Sequence, residues 1–364
     1  MTASTLGPVT KTRQRDASRP AVTSTYNELL SQVRGEGLLE RRRGFYIGMF
    51  AVLTVGLLGA AAGFVLLGDS WFQLLIAAAL GLIFTQFAFL GHEASHRQVF
   101  ASGPRNDRAG RLIATWLVGM SYQWWMTKHT RHHANPNTEG KDPDIAFDTI
   151  SFTERDAARQ RGLLAMITRR QGYLFFPLLL LEGVNLHVTS IRSLVARGPV
   201  ERRKTELVAI GLRLSIYVTI VFLMLPLGMA FAFLGVQLAV FGVYMGASFA
   251  PNHKGMPLLP PGSRVDFLNK QVLTSRNIRG GWEMSILMGG LNHQIEHHLF
   301  PSMPRPHLRR ARELVREHCR AHDIPYTETG LVNSYRIVIR YLNRVGLAAR
   351  DPFDCPAANR YRRA

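Results

Sequence analysis

Cysteine is scarce in this chain, whose 364 residues include only Cys319 and Cys355. Two thiols exclude a disulfide framework and a cysteine-based zinc module, and we expect both to stay reduced in the cytoplasm. Acidic residues are also few: 44 lysines and arginines face 25 aspartates and glutamates, which gives a formal charge of +19. Such an excess is typical of nucleic-acid binding, but 47% of the residues are hydrophobic and lie in long blocks. The blocks exclude a disordered basic protein, and we expect no nucleic-acid partner.

Four apolar runs that are almost free of charge indicate a membrane protein. They cover residues 45–68, 71–90, 207–227 and 229–250, and Arg213 is the one charged residue inside them. Each run has at least 20 residues, enough to cross the roughly 30 Å hydrocarbon core as an α-helix. Short turns join the first run to the second and the third to the fourth. We therefore expect an all-α integral membrane protein with two hairpins of membrane-spanning helices.

The basic residues orient these helices. Apart from Arg213, every lysine and arginine falls in segments 1–44, 91–206 or 251–364. Positive residues collect on the cytoplasmic side, so both termini and the central segment should be cytoplasmic, in a multi-pass protein of a bacterial-type inner membrane. Arg213 lies close enough to the start of the third run to snorkel back to that side. The high charge then reflects topology and contact with anionic lipid.

The predicted organisation has three parts. They are a cytosolic segment 1–44, a membrane domain 45–345 that includes a cytosolic helical cap, and a basic tail 346–364. The apolar stretch 173–181 is too short to span the membrane and contains Pro177, so we expect an interfacial or re-entrant helix there.

Histidine is abundant, and eight of the 13 histidines lie beside the apolar runs or in the cytoplasmic segments between them. The eight are His92 and His96 (box one), His129, His132 and His133 (box two), His297 and His298 (box three), and His253. Spacings of three and four residues place side chains on one face of a helix. The second and fourth runs both end on the cytoplasmic side beside one of these histidines. The topology should therefore bring the boxes together around a metal.

Spacing alone is not specific, because His318 and His322 also stand four residues apart, in a basic polar stretch. We expect that pair to be solvated surface, and His187 and His307 to be structural or surface residues. Eight grouped imidazoles without a metal would repel one another when protonated. One zinc takes about four ligands, so two metals fit better, and iron, copper, zinc and nickel all accept imidazole.

Aromatic residues precede box two. Tyr122, Trp124 and Trp125 supply an apolar wall to a substrate channel, or else anchor the helix at the membrane interface. A hydrolase would need a poised water with an acid or base at the metals. An oxidase would need open metal positions beside an apolar channel.

Four segments together carry a family resemblance. They are GHEASH at 91–96, WWMTKHTRHHANPN at 124–137, PNHKGM at 251–256 and GGLNHQIEHHLFP at 289–301. This pattern resembles the membrane fatty-acid desaturases, especially bacterial acyl-CoA desaturases and the front-end desaturases, from about residue 45 to 320. The resemblance implies four membrane-spanning helices under a cytosolic cap, a non-haem di-iron centre, and O₂-dependent insertion of a double bond into an acyl chain.

The resemblance also implies the ligands of two iron ions. These are His92, His96, His129, His132, His133, His253, His297 and His298. It further implies that Asn252 holds a metal-bound water. Gln294 takes a position where relatives have histidine or glutamine, and an amide oxygen is a weaker ligand than imidazole. We place Gln294 in or beside the ligand set and keep His293 as a residue that supports a ligand from outside.

Electrons must also reach the irons. Some front-end desaturases carry a fused cytochrome b5 domain, but this sequence contains no His-Pro-Gly-Gly haem motif. We therefore expect a separate donor, either a ferredoxin, a flavoprotein reductase or a protein of the cytochrome b5 type. Arg309, Arg310, Arg312, Arg316 and Arg320 follow box three and either dock this donor or contact anionic phospholipid.

The combined prediction is an oxidoreductase that desaturates a fatty acyl chain, with acyl-CoA as the expected substrate and membrane lipid around it. A lipid hydroxylase of the same superfamily is the nearest alternative. A histidine-rich metal transporter or a lipid hydrolase represents other classes. A transporter should carry ionisable groups at mid-membrane, where these runs offer only Arg213.

Overall fold

The computed structural model describes residues 22–349, so most of the predicted tail, including Cys355, lies outside the described residues. In chain order the α-helices are α1 Val22–Gly35, α2 Arg43–Leu67, α3 Gln73–Ser95, α4 Gly103–Arg111, α5 Tyr122–Ala134, α6 Glu154–Arg159, α7 Gly162–Thr168, α8 Gln171–Leu179, α9 Glu182–Val195, α10 Arg203–Met224, α11 Leu227–His253, α12 Phe267–Leu273, α13 Trp282–Leu287, α14 Gln294–Leu299, α15 Leu308–Ala321 and α16 Leu331–Gly346. A π-helix, Leu112–Val118, continues α4 without a break and is separated from α5 by residues 119–121. The strands β1 Asn277–Ile278 and β2 Glu328–Thr329 form one short parallel pair. The predicted all-α class is confirmed.

Four helices are long and apolar enough to cross a membrane, as predicted: α2, α3, α10 and α11. Helices α8 and α9 meet at 76° and would make a fifth crossing if the bent pair were one span. That bend is what a broken span or a re-entrant segment shows, and it includes the stretch predicted to be re-entrant or interfacial. Both α3 and α11 continue past their apolar runs, so they carry polar residues beyond the end of the span.

Close helix contacts fix α11 in the centre of the membrane domain. On α3, a Cβ added at Gly81 would lie 2.8 Å from Val240 Cβ and 2.9 Å from the Gln237 carbonyl oxygen of α11. On α9, a Cβ added at Gly183 would likewise clash with the Leu238 carbonyl oxygen of α11. Only glycine lets the backbones come this near, which is how membrane helices gain packing without a hydrophobic driving force.

The part of the chain predicted to form a cap has its own apolar core. Leu29 and Val33 of α1 are fully buried against α15, where Val315 and Cys319 are equally buried. Part of the predicted segment 1–44 therefore packs into the cap. On the other side, Val338 of α16 joins a second core with α8.

Arg213 is half-buried and its guanidinium contacts neighbouring helices; the predicted snorkelling towards the membrane surface stays a prediction. Its Nε donates to the Leu117 carbonyl oxygen at 3.2 Å. Its guanidinium lies over the rings of Phe84 and Tyr217, 4.9 and 4.8 Å from the centroids. A carbonyl and two aromatic faces compensate the half-buried cation.

Candidate metal centre

Box one lies at the end of α3. The apolar run stops at Leu90, but no residue after it breaks the helix, which ends at Ser95 before Arg97 turns into the left-handed region. His92 and His96 are thereby one turn apart, with ring centroids separated by 4.8 Å. The helix end thus delivers two imidazoles just beyond the membrane span.

Box two lies on α5, whose start is capped by Ser121. The Ser121 hydroxyl accepts a hydrogen bond from the Trp124 amide at 3.0 Å, which is the usual role of serine at a helix N-cap. The same hydroxyl donates to the buried Glu206 of α10. These bonds set the direction of the helix that carries His129, His132 and His133.

Box three lies on the short helix α14, and His253 is the last residue of α11. The Ile295 amide donates to Asn277 Oδ1 at 2.9 Å, which ties α14 to strand β1. His253, His297 and His298 are all buried.

The eight predicted histidines meet in two groups. Within each group the nearest ring nitrogens all lie within 4.8 Å of one another. The first group is His92, His96, His129, His133 and His297, and the second group is His132, His253 and His298. His129 Nε2 lies 3.0 Å from His92 Nε2 and 2.7 Å from His96 Nε2. Ring nitrogens that converge in this way are arranged like the ligands of two neighbouring metal ions.

Several of these nitrogens have no protein partner. His133 Nε2, His297 Nε2 and His298 Nε2 are buried and make no hydrogen bond within the described part of the chain. Buried polar atoms are rarely left unsatisfied in folded proteins. Free lone pairs on converging imidazoles therefore fit metal ions that are held between the rings.

Partners outside the second group orient its three rings. His132 Nδ1 lies 3.0 Å from Asp142 Oδ1, His253 Nδ1 lies 2.9 Å from the Thr274 carbonyl oxygen, and His298 Nδ1 lies 2.9 Å from Gln271 Oε1. Each partner accepts a hydrogen bond from Nδ1–H, so the lone pair of each Nε2 points towards the centre of the group. Metal-binding histidines are commonly fixed in this way.

Gln294 and His293 occupy different places. Gln294 Nε2 lies 2.9 Å from His253 Nε2, and Gln294 Oε1 accepts from Asn252 Nδ2 at 3.2 Å. Gln294 and Asn252 therefore border the second group, and Asn252 Oδ1 is buried without a partner. His293 belongs to neither group, and burial with two nearby arginines lowers its pKa to about 4.

Burial keeps the box histidines neutral, which is the form that binds metal. It lowers the pKa of His96 to about 3, with His132 adding to the effect. Burial and the neighbouring rings lower the pKa of His129, His133, His297 and His298 well below the ordinary value. These side chains can bind a metal without first losing a proton.

His132 is the exception. Burial opposes its protonation, but Asp144 and Asp142 more than compensate and raise its pKa. Burial likewise disfavours the charged carboxylate of Asp142, yet the hydrogen bond from His132 lowers its pKa. The carboxylates therefore both orient His132 and make its ring more basic than the other box histidines.

A narrow apolar cavity of about 30 Å³ ends at the first group. Its walls include Tyr122, Trp124 and Trp125, together with Phe249 and His92. The Trp125 ring stacks on His129 with centroids 4.7 Å apart. The three aromatic residues predicted to line a substrate channel thus lie between one histidine group and an apolar space.

Comparison with known proteins identifies the family. The fatty acid desaturase family matches residues 69–330, which include all three boxes and His253. The chain belongs to the fatty acid desaturase family.

Curated relatives are similar over almost the whole chain. A Delta(8)-fatty-acid desaturase of Helianthus annuus is 27% identical over 91% of this chain and 75% of its own length. A Delta(8)-fatty-acid desaturase 2 of Arabidopsis thaliana is 28% identical over 93% and 78%. A Delta(6)-fatty-acid desaturase fat-3 of Caenorhabditis elegans is 26% identical over 90% and 76%. This desaturase is therefore a membrane oxidoreductase, and its histidine groups form a candidate metal site.

Sequence reasoning missed the residues that orient the second group. Asp142 and Asp144 follow box two in the sequence Asp-Pro-Asp, and Gln271 and Thr274 lie in and after α12. Two carboxylates ten and twelve residues after His132 were the available signal. The sequence around Gln271 and Thr274 contains no comparable signal, because only the tertiary fold brings α12 to α14.

The desaturase also corrects the prediction for His318. This side chain is only 5% exposed and its Nε2 has no partner in the described residues, so it is not solvated surface. It forms a third histidine-containing group with Glu28 and His322, apart from the metal centre. His187 and His307 bond backbone carbonyl oxygens, as structural residues do.

Proposed function

We propose that this desaturase inserts a double bond into the acyl chain of acyl-CoA at two non-haem irons, with O₂ as co-substrate. One observation carries the proposal: two histidine groups converge, three of their Nε2 atoms are buried without a partner in the described residues, and an apolar cavity ends at the first group. Imidazole is a good ligand for iron. When bound, the irons activate O₂ so that two hydrogens leave neighbouring methylenes, and a donor supplies two further electrons for complete reduction to water.

In this proposal the five histidines of the first group hold one iron, and the three of the second group hold the other. The second group has fewer imidazoles, so Gln294 and a water on Asn252 are candidates to complete it. Asp142 keeps His132 oriented and basic. The metals would thus be held mainly by neutral donors.

The protein's own part is to position an unactivated acyl chain. Trp124, Trp125 and Phe249 form an apolar wall beside His92, and we infer that methylene groups lie along it. Apolar walls exclude water from the reacting carbons. Tyr122 also lines this cavity.

Product analysis tests the activity. The desaturase is expressed with a reductase system, and new double bonds are located by mass spectrometry. A product with a new hydroxyl group and no double bond would favour the hydroxylase alternative. Unchanged acyl chains, in the presence of full iron content, would contradict the proposal.

Metal analysis tests the ligands. The purified desaturase should contain about two irons per chain, and His132→Ala should lose iron from the second group together with desaturation. His322→Gln is the matched control, because His322 lies in the cap outside both groups. Equal iron content in His132→Ala and wild type would show that the second group does not bind iron.

A basic face of α15 is the proposed docking surface for a separate electron donor. Arg310 pairs with Glu36 and Glu313, and Arg312 pairs with Glu328. These two arginines, which the sequence offered as part of the surface, are therefore already neutralised. The exposed residues Arg309, Arg316 and Arg320 remain, and their spacing of seven and four residues places them on one side of the helix.

The donor surface is tested with Arg309→Glu/Arg316→Glu/Arg320→Glu in neutral detergent. Complementary charge mainly speeds encounter, so the variant should show a raised apparent KM for the donor, a weaker salt dependence and unchanged iron content. Identical donor kinetics in both proteins would assign these arginines to contact with anionic lipid. Labelling of introduced cysteines, described below, tests the proposed cytoplasmic placement of this face.

A further inference from the structure

A wide cavity of about 610 Å³ opens beside the narrow one. Its size falls within the range of about 300–1,000 Å³ that is common for small-molecule sites. Arginines form much of its lining, together with the exposed apolar side chains of Leu112 and Trp116. The wide cavity is therefore lined by both cationic and apolar side chains.

One layer of residues separates the two cavities. Tyr122 lines both of them. The π-helix does the same, since Leu112 and Trp116 face the wide cavity while Ala114 and Val118 face the narrow one. π-helical turns are rare and often occur at functional sites. A molecule in the wide cavity would thus lie one residue away from the apolar path to His92.

The positive charges of the wide cavity are only partly neutralised. Its four arginines are Arg97, Arg108, Arg111 and Arg202, and its two carboxylates are Asp107 and Glu201. The buried Glu206, which is not part of the lining, pairs with Arg111. The carboxylate of Glu201 lies 3.5 Å from Arg202, and that of Asp107 accepts a hydrogen bond from the Tyr122 hydroxyl at 3.1 Å. Arg97 and Arg108 are exposed, and the guanidinium of neither has a hydrogen-bond or ion-pair partner in the described part of the chain.

Backbone strain marks the same cavity. The described residues contain four non-glycine residues with positive φ: Arg97, Asn137, Arg202 and Asp323. Two of the four, Arg97 at 60° and Arg202 at 52°, are arginines of this cavity. Left-handed backbone is unfavourable for a long side chain and concentrates at functional sites. Structural needs alone would be met better by glycine at both positions.

We propose that the wide cavity binds the phosphate-bearing head group of the acyl substrate, while the acyl chain passes Tyr122 into the narrow cavity. Arg97 and Arg108 would contact the phosphate oxygens, because arginine matches phosphate geometry and is here free to bind. Leu112 and Trp116 would contact the first apolar part of the substrate. This inference rests on the proposed function, since it assigns the head-group end of the same substrate path.

Binding is measured on the purified, iron-loaded desaturase without an electron donor, so that no turnover occurs. Trp116 lines the cavity, and its fluorescence should change when a long-chain acyl-CoA binds. Arg97→Gly and Arg108→Gln should each weaken binding about tenfold, because each removes one charge-assisted contact at an open site. The wild-type affinity should also fall as ionic strength rises. Trp116→Phe should abolish the fluorescence change.

Arg97→Gly separates ligand binding from folding. Glycine accepts positive φ without strain, so this variant should keep or raise the Tm while it loses affinity. Asp323→Gly is the matched control, since Asp323 has a φ of 52° but lies outside the cavity. It should behave like Arg97→Gly in Tm and like wild type in binding. Iron content is measured in every variant to show that box one is intact.

A second series of binding titrations identifies the source of the phosphate. Acyl-CoA, a phospholipid in mixed micelles, and a ceramide without phosphate are titrated in parallel. If acyl-CoA or the phospholipid binds the wild type more tightly than it binds Arg97→Gly and Arg108→Gln, the head-group site is supported. The ligand that shows this difference is then the source of the phosphate. If ceramide binds as tightly as both, or if Arg97→Gly and Arg108→Gln bind acyl-CoA and phospholipid like wild type, the inference is wrong. A protein that binds but forms no double bond would contradict only the proposed function.

Discussion

A buried ion pair joins box one to the segment after box three, and breaking it should loosen the metal centre. Glu93 stands between the two box-one histidines. Its carboxylate accepts two hydrogen bonds from Arg305, at 2.6 Å from Nε and 2.7 Å from Nη2. The side chains are 2% and 3% exposed. The Arg305 amide also donates to the Tyr46 hydroxyl at 3.1 Å, so the pair connects α3, the cap and α2.

The perturbation is Glu93→Gln, which keeps the shape of the side chain but leaves a buried guanidinium without its counter-charge. Loss of one partner of a buried pair costs about 3–5 kcal/mol. At about 2 °C per kcal/mol for a protein of this size, the Tm in detergent should fall by at least about 6 °C. Iron content should fall as well, because box one would no longer be held against box three.

The matched control is Glu93→Leu/Arg305→Met, which removes both charges and keeps similar volumes. Replacing a whole buried pair by apolar residues is often neutral or stabilising, so this double variant should recover most of the lost Tm. Thermal unfolding followed by fluorescence, with metal analysis of the same samples, compares the wild type with both variants. If Glu93→Gln unfolds at the wild-type temperature, or if the double variant is less stable than Glu93→Gln, the reasoning is refuted.

Two further predictions concern the second group and the topology. Asp142→Asn should weaken the retention of iron about 10- to 100-fold, because His132 loses its charged partner. Iron retention is measured by dialysis against a chelator, and unchanged retention would contradict this prediction. Lys141→Cys should react with membrane-impermeant reagents only from the cytoplasmic side, and Asp69→Cys, in the turn between α2 and α3, only from the other side. Labelling of Lys141→Cys from outside would overturn the orientation.

The membrane helices were predictable because hydrocarbon allows few solutions. Backbone groups in a bilayer must bond within the segment, so a long uncharged run has to be a helix. The sequence therefore placed α2, α3, α10 and α11 to within a few residues. Their ends were less accurate, since α3 and α11 continue into polar sequence, where composition no longer distinguishes helix from loop.

The division of the histidines into two groups was present in their spacing. At 100° per residue, His129 and His133 lie only about 40° apart around α5, while His132 is turned away from both by about 60° or more. The structure accordingly puts His129 and His133 in the first group and His132 in the second. The adjacent His297 and His298 also belong to different groups, as a separation of about 100° requires.

The prediction for His318 failed because composition was given more weight than periodicity. The stretch is rich in arginine, which suggested a solvated helix. Yet Ala311, Val315 and Cys319 recur every four residues and are fully buried, and His318 lies next to this stripe. An amphipathic helix hides one face however basic the other face is.

The contacts that orient the second group could not be read from the sequence, and they explain how the two groups differ. Helices α3, α5 and α14 bring the first group together, and its rings mainly touch one another. Each ring of the second group instead bonds a non-histidine partner: Asp142, Gln271 or the Thr274 carbonyl oxygen. Those partners belong to the cap and reach the histidines only when it has folded onto the membrane helices. His297 of the first group also lies on α14, which packs in the apolar core of the cap, so both groups need the cap in place. The second group depends in addition on its non-histidine partners, so a substitution at Asp142 or Gln271 should release the second metal before the first, as metal analysis after dialysis against a chelator would show.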